Sequence, residues 1–187
     1  MLQLYSVSDL DISNLLHDDK EVYVKEGHGG KAVWEWPIYH FFQHYYSGEK
    51  VEARKQFADW YIDQYKKYGN VKSSEGGMKG GSLDRIVQKK GLKSNEIYLA
   101  IQERVSQRFD LFDNIDLNGY NPNLIDPVKV YKINSNQYIL FGGHHRVACL
   151  AVLNYKEVPG VILFNNELSY LWFRFQRKLN LLSIDGK

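Results

Sequence analysis

The chain has 187 residues, of which 44% are hydrophobic and 14% aromatic, enough for a sizeable core and for one domain with an elaboration, or one and a half domains. A net charge of +2 argues against nucleic acid as the partner, and the single Cys149 excludes a disulfide framework and a four-cysteine zinc site. No apolar run reaches membrane-spanning length and the first residues lack a signal-peptide pattern, so we expect a cytoplasmic protein without membrane contact.

The first 68 residues are predicted to be mainly helical after a short N-terminal element. Residues 21–25, EVYVK, alternate and predict a strand, and residues 27–32, GHGGKA, form a glycine-rich loop. That loop lacks the spacing of a nucleotide-binding phosphate loop, which leaves the role of a mobile lid open. From Pro37 to Tyr68 the aromatic residues recur at helical spacing, and Ser47-Gly48 breaks the segment into two helices.

Residues 69–82, GNVKSSEGGMKGGS, are the clearest loop, and the flanking segments are basic. A solvated flexible loop explains this composition. The alternative is a loop that grips an anion, because glycine N–H groups and the side chains of Lys72 and Lys79 can converge on one phosphate.

The second half of the chain alternates between helices and strands. Residues 94–117 predict a helix with Ser94 as its N-cap. The remaining elements are the strands at 126–133 and 138–141, a helix that opens at GGHHR and runs to Leu153, a strand at 157–164 and a C-terminal helix at 166–182. The apolar aromatic face of that last helix fits packing on the sheet or the surface of a homodimer.

The junction Gly142-Gly143-His144-His145-Arg146 joins an apolar strand to an apolar helix. The first N–H groups of a helix lack intrahelical partners, and the helix dipole adds partial positive charge there, so both favour a bound phosphate. Arginine matches phosphate oxygens with its planar fork, and the histidines can donate hydrogen bonds or exchange a proton near neutral pH. An ordinary turn with a structural arginine is the alternative.

The order of these elements and three short motifs resemble the ParB/sulfiredoxin superfamily over about residues 100–165. A Pro-x-Val strand, a glycine–polar–polar–arginine loop that opens a helix, and a Glu-Val-Pro strand follow one another. They are Asp126-Pro127-Val128-Lys129-Val130, Gly143-His144-His145-Arg146 and Glu157-Val158-Pro159, and residues 141–146 read F-G-G-H-H-R where sulfiredoxins have F-G-G-C-H-R. The resemblance implies an α+β fold with a small mixed sheet and helices at 96–187, after a mainly helical extension at 1–95.

This resemblance also implies a ligand. The superfamily's loop binds nucleotide phosphates: ATP in sulfiredoxin, CTP in ParB and a nucleotide in a free-serine kinase branch. By position, Gly143, His144, His145 and Arg146 would contact phosphates and Gly142 would shape the turn. We therefore expect a nucleotide, ATP before the others, with Mg²⁺ as its companion, or another phosphorylated small molecule.

Differences from the family's motifs limit which of the family's activities this chain is expected to have. His144 stands where sulfiredoxins have the catalytic cysteine, so reduction of a cysteine sulfinic acid is excluded as the activity. Gly142 replaces an aspartate that is frequent in the kinase branch. A sulfiredoxin-type lysine in the upstream helix aligns near Gln107, with Arg104 and Arg108 close to it. No basic helix-turn-helix segment follows residue 165, which argues against a partition protein that reads DNA.

Phosphoryl transfer needs a carboxylate that holds Mg²⁺ or orients the nucleophile. The candidate catalytic residues are Glu103, which would supply this carboxylate, and the two histidines His144 and His145. The position of Glu103 on a solvated helix face would explain its presence equally well. The other acidic residues on or beside the same helix are Asp110, Asp113 and Asp116. His40 and His44 have the spacing of a metal-binding pair but aromatic neighbours, so we expect packed or surface histidines and no metal site built by the protein.

Three functional hypotheses follow. The first is a nucleotide- or phosphate-binding ParB/sulfiredoxin-like protein, with a small-molecule kinase or a nucleotide hydrolase as its enzymatic form. The second is a non-catalytic module that senses a nucleotide at the loop and binds a protein partner through the aromatic N-terminal region. The third is a DNA-acting ParB-like protein, against which the low net charge counts.

Overall fold

The structure, a computed structural model, describes residues 7–18, 30–68, 94–121, 127–133, 135–164 and the single residue 168. Within these ranges the chain has an α+β fold with four α-helices and one six-stranded mixed sheet. The helices are α1 Pro37–Tyr46, α2 Lys50–Tyr68, α3 Ser94–Asn118 and α4 His144–Val152. The strands are β1 Val7–Asp11, β2 Leu15–Asp18, β3 Gly30–Ala32, β4 Val128–Lys132, β5 Tyr138–Gly142 and β6 Glu157–Phe164.

The sheet has the strand order β1-β6-β4-β5-β2-β3. The pairs β4–β6 and β2–β5 are parallel, and the pairs β1–β6, β4–β5 and β2–β3 are antiparallel. Strands β4 and β5 therefore lie in the middle of the sheet. Because β5 leads through Gly143 directly into α4, the predicted ligand loop stands at the end of a central strand.

The N-terminal region contributes strands as well as helices. The prediction of a short charged element missed β1 and β2, and part of the expected glycine loop, Gly30–Ala32, is strand β3. Strand β1 pairs with β6, and β2 pairs with both β3 and β5. The described parts of the chain before and after residue 95 therefore share one sheet. The division into regions 1–95 and 96–187 stays a prediction.

The break predicted between the first two helices is confirmed. Pro37 is the first residue of α1, where its missing N–H costs nothing. Helix α1 ends at Tyr46, and Gly48 adopts a φ of 106° before α2 begins at Lys50. The helix predicted at 94–117 and the strand predicted at 157–164 are also present, within one residue of the expected bounds.

One hydrophobic core joins the helices to the sheet. Helix α4 packs against α1, α3 and β4, and its Val147, Ala148 and Leu150 are fully buried. Aromatic residues fill the space between α1, α2 and α3, where Phe42 and Tyr45 lie 5.5 and 4.4 Å from Phe109 between ring centroids. This packing holds the first turn of α4 in a fixed relation to α1 and α3.

Several predictions lie outside the described residues. They concern the strand at 21–25, the basic loop 69–82 with Lys72 and Lys79, and the C-terminal helix at 166–182.

Candidate functional site

The turn between β5 and α4 requires glycine at position 143. Gly143 has φ 100° and ψ 15°, in the left-handed region that L-amino acids with a side chain rarely adopt. A Cβ atom there would lie 2.8 Å from Val128 Cγ1 and 3.2 Å from Val128 Cβ. Conformation and close packing on β4 both select glycine, which gives the predicted loop a physical basis that the sequence pattern alone lacked.

Helix α4 begins at this turn. Its first intrahelical hydrogen bond runs from the Val147 N–H to the Gly143 carbonyl oxygen, with an N–O distance of 3.1 Å. The N–H groups of residues 144–146 precede that bond and point out of the N-terminal end of the helix. Since Gly143 has no side chain to cap them, this end is suited to an anion.

Arg146 folds back over the loop. A Cβ atom on Gly143 would lie 3.4 Å from Arg146 Nη2, so the guanidinium group lies against the turn. Its Nη1 atom is buried and has no hydrogen-bond partner within the described part of the chain. A buried polar group without a partner costs about 1–3 kcal/mol, and more for a charged group, so an anionic acceptor at the loop would be favourable.

The two adjacent histidines occupy different environments. His144 is buried at 9% exposure, and its ring centroid lies 5.6 Å from that of the buried Trp36. His145 is only partly buried. The side chain of His144 therefore belongs to the packing between α4 and the start of α1, and His145 is the histidine whose side chain remains a candidate for chemistry.

Positive charge surrounds His145. The pKa of His145 lies well below the ordinary histidine value of 6.5, first because the imidazole is desolvated and then because of the charges of Arg108, Arg104 and Arg146. The imidazole is therefore neutral near pH 7. Permanent guanidinium charges and the end of a helix, and not a histidine charge, make this site electropositive.

Two of these arginines come from α3. Arg104 and Arg108 are one helical turn apart and partly buried. The Arg104 Nε donates a hydrogen bond to the Tyr61 hydroxyl at 3.4 Å. In the sequence both arginines lie near the position of a family lysine, and in the structure their charges help to lower the pKa of His145.

Glu103 is exposed, on a side of α3 away from the buried Ile101 and Val105. Its oxygen accepts a hydrogen bond from Gln107 Nε2 at 3.4 Å, the one contact found for it among the described residues. The described contacts do not join Glu103 to His145 or Arg146. Its catalytic role stays a prediction without geometric support.

The described contacts of Asp110 and Asp113 are with α1 and α2. Asp113 accepts hydrogen bonds from the Tyr45 hydroxyl at 2.6 Å and from Lys50 Nζ at 3.0 Å. Arg54 Nη2 lies 3.5 Å from Asp110 and 3.6 Å from Asp113. The rotation of α3 turns this acidic side toward α1 and α2, where it balances two cations.

The pKa of Asp113 reflects that cluster. Desolvation raises it, but the hydrogen bonds from Tyr45 and Lys50, with the charges of Lys50 and Arg54, outweigh desolvation and lower it below the ordinary 3.8. Arg54 Nη1 also donates to Ser106 Oγ at 3.2 Å. These bonds connect the three helices, so the cluster is structural.

The remaining candidates have structural surroundings. His44 Nε2 lies 2.9 Å from Glu49 Oε2 and its Nδ1 lies 3.1 Å from Gln56 Oε1, while His40 packs edge-on against Tyr39 at 5.6 Å between centroids. No group of three or more potential metal-ligating side chains occurs within the described ranges. Cys149 is buried, and desolvation raises the pKa of its thiol well above the ordinary value.

Comparisons with known proteins assign no family and no function to this chain. No protein-family model matches this chain, and the search of curated proteins finds no significant match. Within the described residues, no helix combines the length and the apolar character that crossing a bilayer requires.

Proposed function

We propose that this chain is a cytoplasmic protein with a ParB/sulfiredoxin-like fold that binds a nucleotide, ATP before others, or another phosphorylated small molecule at Gly142–Arg146. The observation that carries the proposal is Arg146, whose guanidinium group lies over Gly143 with a buried Nη1 that lacks an acceptor among the described residues. A phosphate oxygen is an acceptor of matching charge and geometry.

Each residue of the loop has a role in this proposal. Gly143 gives the turn its left-handed conformation, and the N–H groups of residues 144–146 face the phosphate. Arg146 binds phosphate oxygens, and neutral His145 donates or accepts one hydrogen bond. His144 contributes its backbone N–H, because its ring is buried against Trp36. Lys72 and Lys79 remain predicted further contacts.

Mg²⁺ would accompany a bound nucleotide as its counter-ion and would neutralise part of the phosphate charge. For catalysis, neutral His145 can accept a proton. A non-catalytic module that responds to a nucleotide is the second candidate, and a specific observation favours it. Asp110 and Asp113, two of the carboxylates considered for phosphoryl transfer, are held by Arg54, Lys50 and Tyr45 at the interface of α1, α2 and α3.

The test is a thermal-shift panel of ATP, ADP, CTP, GTP and sugar phosphates, each with and without Mg²⁺. The variants are Arg146→Ala and, as a charge-loss control on the exposed side of α2, Lys55→Ala. A ligand that binds only the native state raises the melting temperature. We expect such a shift for the wild type and the Lys55 variant and its loss in Arg146→Ala.

If no ligand shifts the wild-type melting temperature, the proposal is wrong. If a ligand binds, measurement of phosphate release or transfer with Mg²⁺ separates the two candidates. Turnover that depends on His145 would identify the enzyme, and saturable binding without turnover would identify the sensing module.

A further inference from the structure

A lysine of the central strand β4 stands opposite the end of β5. Lys129 pairs with Gly142, the first residue of the loop, in the antiparallel register of these two strands. A Cβ atom on Gly142 would lie 4.0 Å from Lys129 Cβ. The side chain of Lys129 therefore starts directly beside the loop, and it carries its ammonium group on a flexible four-carbon stem.

A β-bulge produces this pairing. Further along the two strands the register is regular, as in the pair of Val130 with Leu140. Lys129 then pairs with Gly142, so Phe141 is an extra residue on β5. In a regular ladder Lys129 would pair with Phe141 instead. Bulges re-aim side chains next to functional sites, and this bulge brings a lysine opposite the first glycine of the loop.

Lys129 and Arg146 flank the loop from opposite sides of the sheet. A Cβ atom on Gly143 would lie 2.8 Å from Cγ1 of the buried Val128 and 3.4 Å from Arg146 Nη2, so the guanidinium group is on the same side as Val128. Neighbouring side chains along a strand point to opposite faces, and Lys129 is exposed on the other face. An anion over the peptide group that joins the two glycines would have a guanidinium group on one side and an ammonium group on the other.

The side of the loop that faces Lys129 is open. Gly142 has no positive φ, and among the described residues a Cβ atom there would meet only Lys129. Glycine within a strand often marks a bulge or the close approach of a ligand, and a phosphate that reaches Lys129 would pass over this residue. Within the described part of the chain Lys129 forms no ion pair, so an anion would not have to displace a carboxylate.

We infer that Lys129 is a further phosphate-binding residue of this site. Its ammonium group binds a phosphoryl oxygen on the exposed side of the loop, while Arg146 binds the same phosphoryl group from the side of α4. Gly142 leaves the space between them free of a side chain. The inference rests on the proposed function and adds a strand residue outside the loop and the face of the sheet over which the ligand lies.

The experiment titrates phenyl phosphate and, in a parallel arm, ATP at a fixed ionic strength of about 0.15 M. Dissociation constants are taken from the concentration dependence of the melting temperature, with each protein referred to its own ligand-free value. The variants are Lys129→Gln, Lys129→Arg and Gly142→Ala. The matched control is Lys132→Gln, which removes an equal charge from the far end of the same strand, about 10 Å away.

We expect Lys129→Gln to weaken the binding of both probes by about threefold to tenfold, because one charge-assisted contact at an exposed position is lost. Lys129→Arg keeps the charge and should stay within about twofold of the wild type. Lys132→Gln should also stay within about twofold, since salt screens a charge at that distance. Gly142→Ala should weaken binding by about threefold or more, because its methyl group occupies the path of the phosphate.

Each other outcome overturns a defined part. If Lys129→Gln binds both probes like the wild type while Arg146→Ala does not bind them, Lys129 is not in the site and the proposed function stands. Equal losses in Lys129→Gln and Lys132→Gln would show a general effect of charge and would refute the contact. Unchanged binding by Gly142→Ala would refute the path over this residue, and this variant leaves the lysine itself intact. Failure of both probes to bind the wild type would refute the proposed function itself.

Discussion

Replacement of Gly143 by alanine should destabilise the protein much more than replacement of its neighbour Gly142. Alanine at φ 100° is strained, and a left-handed conformation costs a residue with a side chain about 1–2 kcal/mol. The new Cβ would also lie 2.8 Å from Val128 Cγ1 on the buried strand β4, and overpacking of this kind costs typically about 1–3 kcal/mol. The expected loss is therefore about 2–5 kcal/mol.

Gly142→Ala is the matched control, because a Cβ there meets only Lys129 Cβ at 4.0 Å, an ordinary contact. The free energy of unfolding of each variant is measured by urea denaturation from the shift in midpoint. We expect Gly142→Ala to stay within about 0.5 kcal/mol of the wild type.

Val128→Ala separates the two causes. In the Gly143→Ala background it should restore part of the loss by removing the clash, which appears as coupling in a double-mutant cycle. A Gly143→Ala variant as stable as Gly142→Ala would show that the turn does not need glycine and would refute the geometry on which the site depends.

Three further predictions concern titratable groups. Because the native pKa of His145 is depressed, the unfolded state binds more protons below about pH 6.5, so stability falls as pH drops through that value. His145→Gln should flatten this loss of stability in denaturation measured between about pH 7 and pH 5. An unchanged slope would contradict the desolvation of a neutral imidazole at this position. Asp113 contributes stability above its unfolded pKa of 3.8, and this stability is lost as pH falls through its lowered native pKa. Asp113→Asn should therefore be less stable than the wild type at neutral pH and lose less stability on acidification. Equal acid sensitivity of both proteins would refute the structural role of the cluster. The buried, high-pKa thiol of Cys149 should react with a disulfide reagent at least about a hundredfold more slowly in the native protein than in urea, and comparable rates would show that the core of α4 is open.

Local signals in the sequence predicted several elements well, for reasons that lie within each segment. Ser47-Gly48 interrupts a helical pattern, and the structure places a glycine with positive φ between α1 and α2. The strand at 157–164 is an apolar run bounded by polar residues, and it is strand β6. Turns and apolar runs of this kind are determined by residues adjacent in the sequence, so they can be predicted without tertiary information.

The strands missed at the N-terminus depend on distant partners. Strand β1 pairs with β6 and strand β2 with β5, each more than a hundred residues away in the sequence. Both are four or five residues long and neither alternates clearly between apolar and polar residues. Their conformation follows from long-range pairing, which a local pattern does not contain.

Some features of the candidate site could likewise be predicted from local sequence, and others depend on distant contacts. A glycine turn before α4 could be read from the sequence, because glycines before an apolar helix indicate an exposed helix end. The turn was expected at Gly142, but Gly142 ends strand β5 and Gly143 has the positive φ. The difference between His144 and His145 could not be read from the sequence, since it arises from the contact of His144 with Trp36, a residue 108 positions earlier. The side of α3 that carries Asp113 likewise depends on its packing against α1 and α2.

The most direct test of the central claim is to map backbone amide chemical shifts during titration with ATP, with and without Mg²⁺. A phosphate at the N-terminus of α4 should move the amide resonances of residues 144–146 first and most strongly, and Arg146→Ala should reduce the saturable shifts. The amides of Asp110 and Asp113, in the structural cluster, should stay nearly unchanged. Saturable shifts that cluster elsewhere, or no shifts at about millimolar ATP, would contradict the assignment of the loop Gly142–Arg146 as the ligand site.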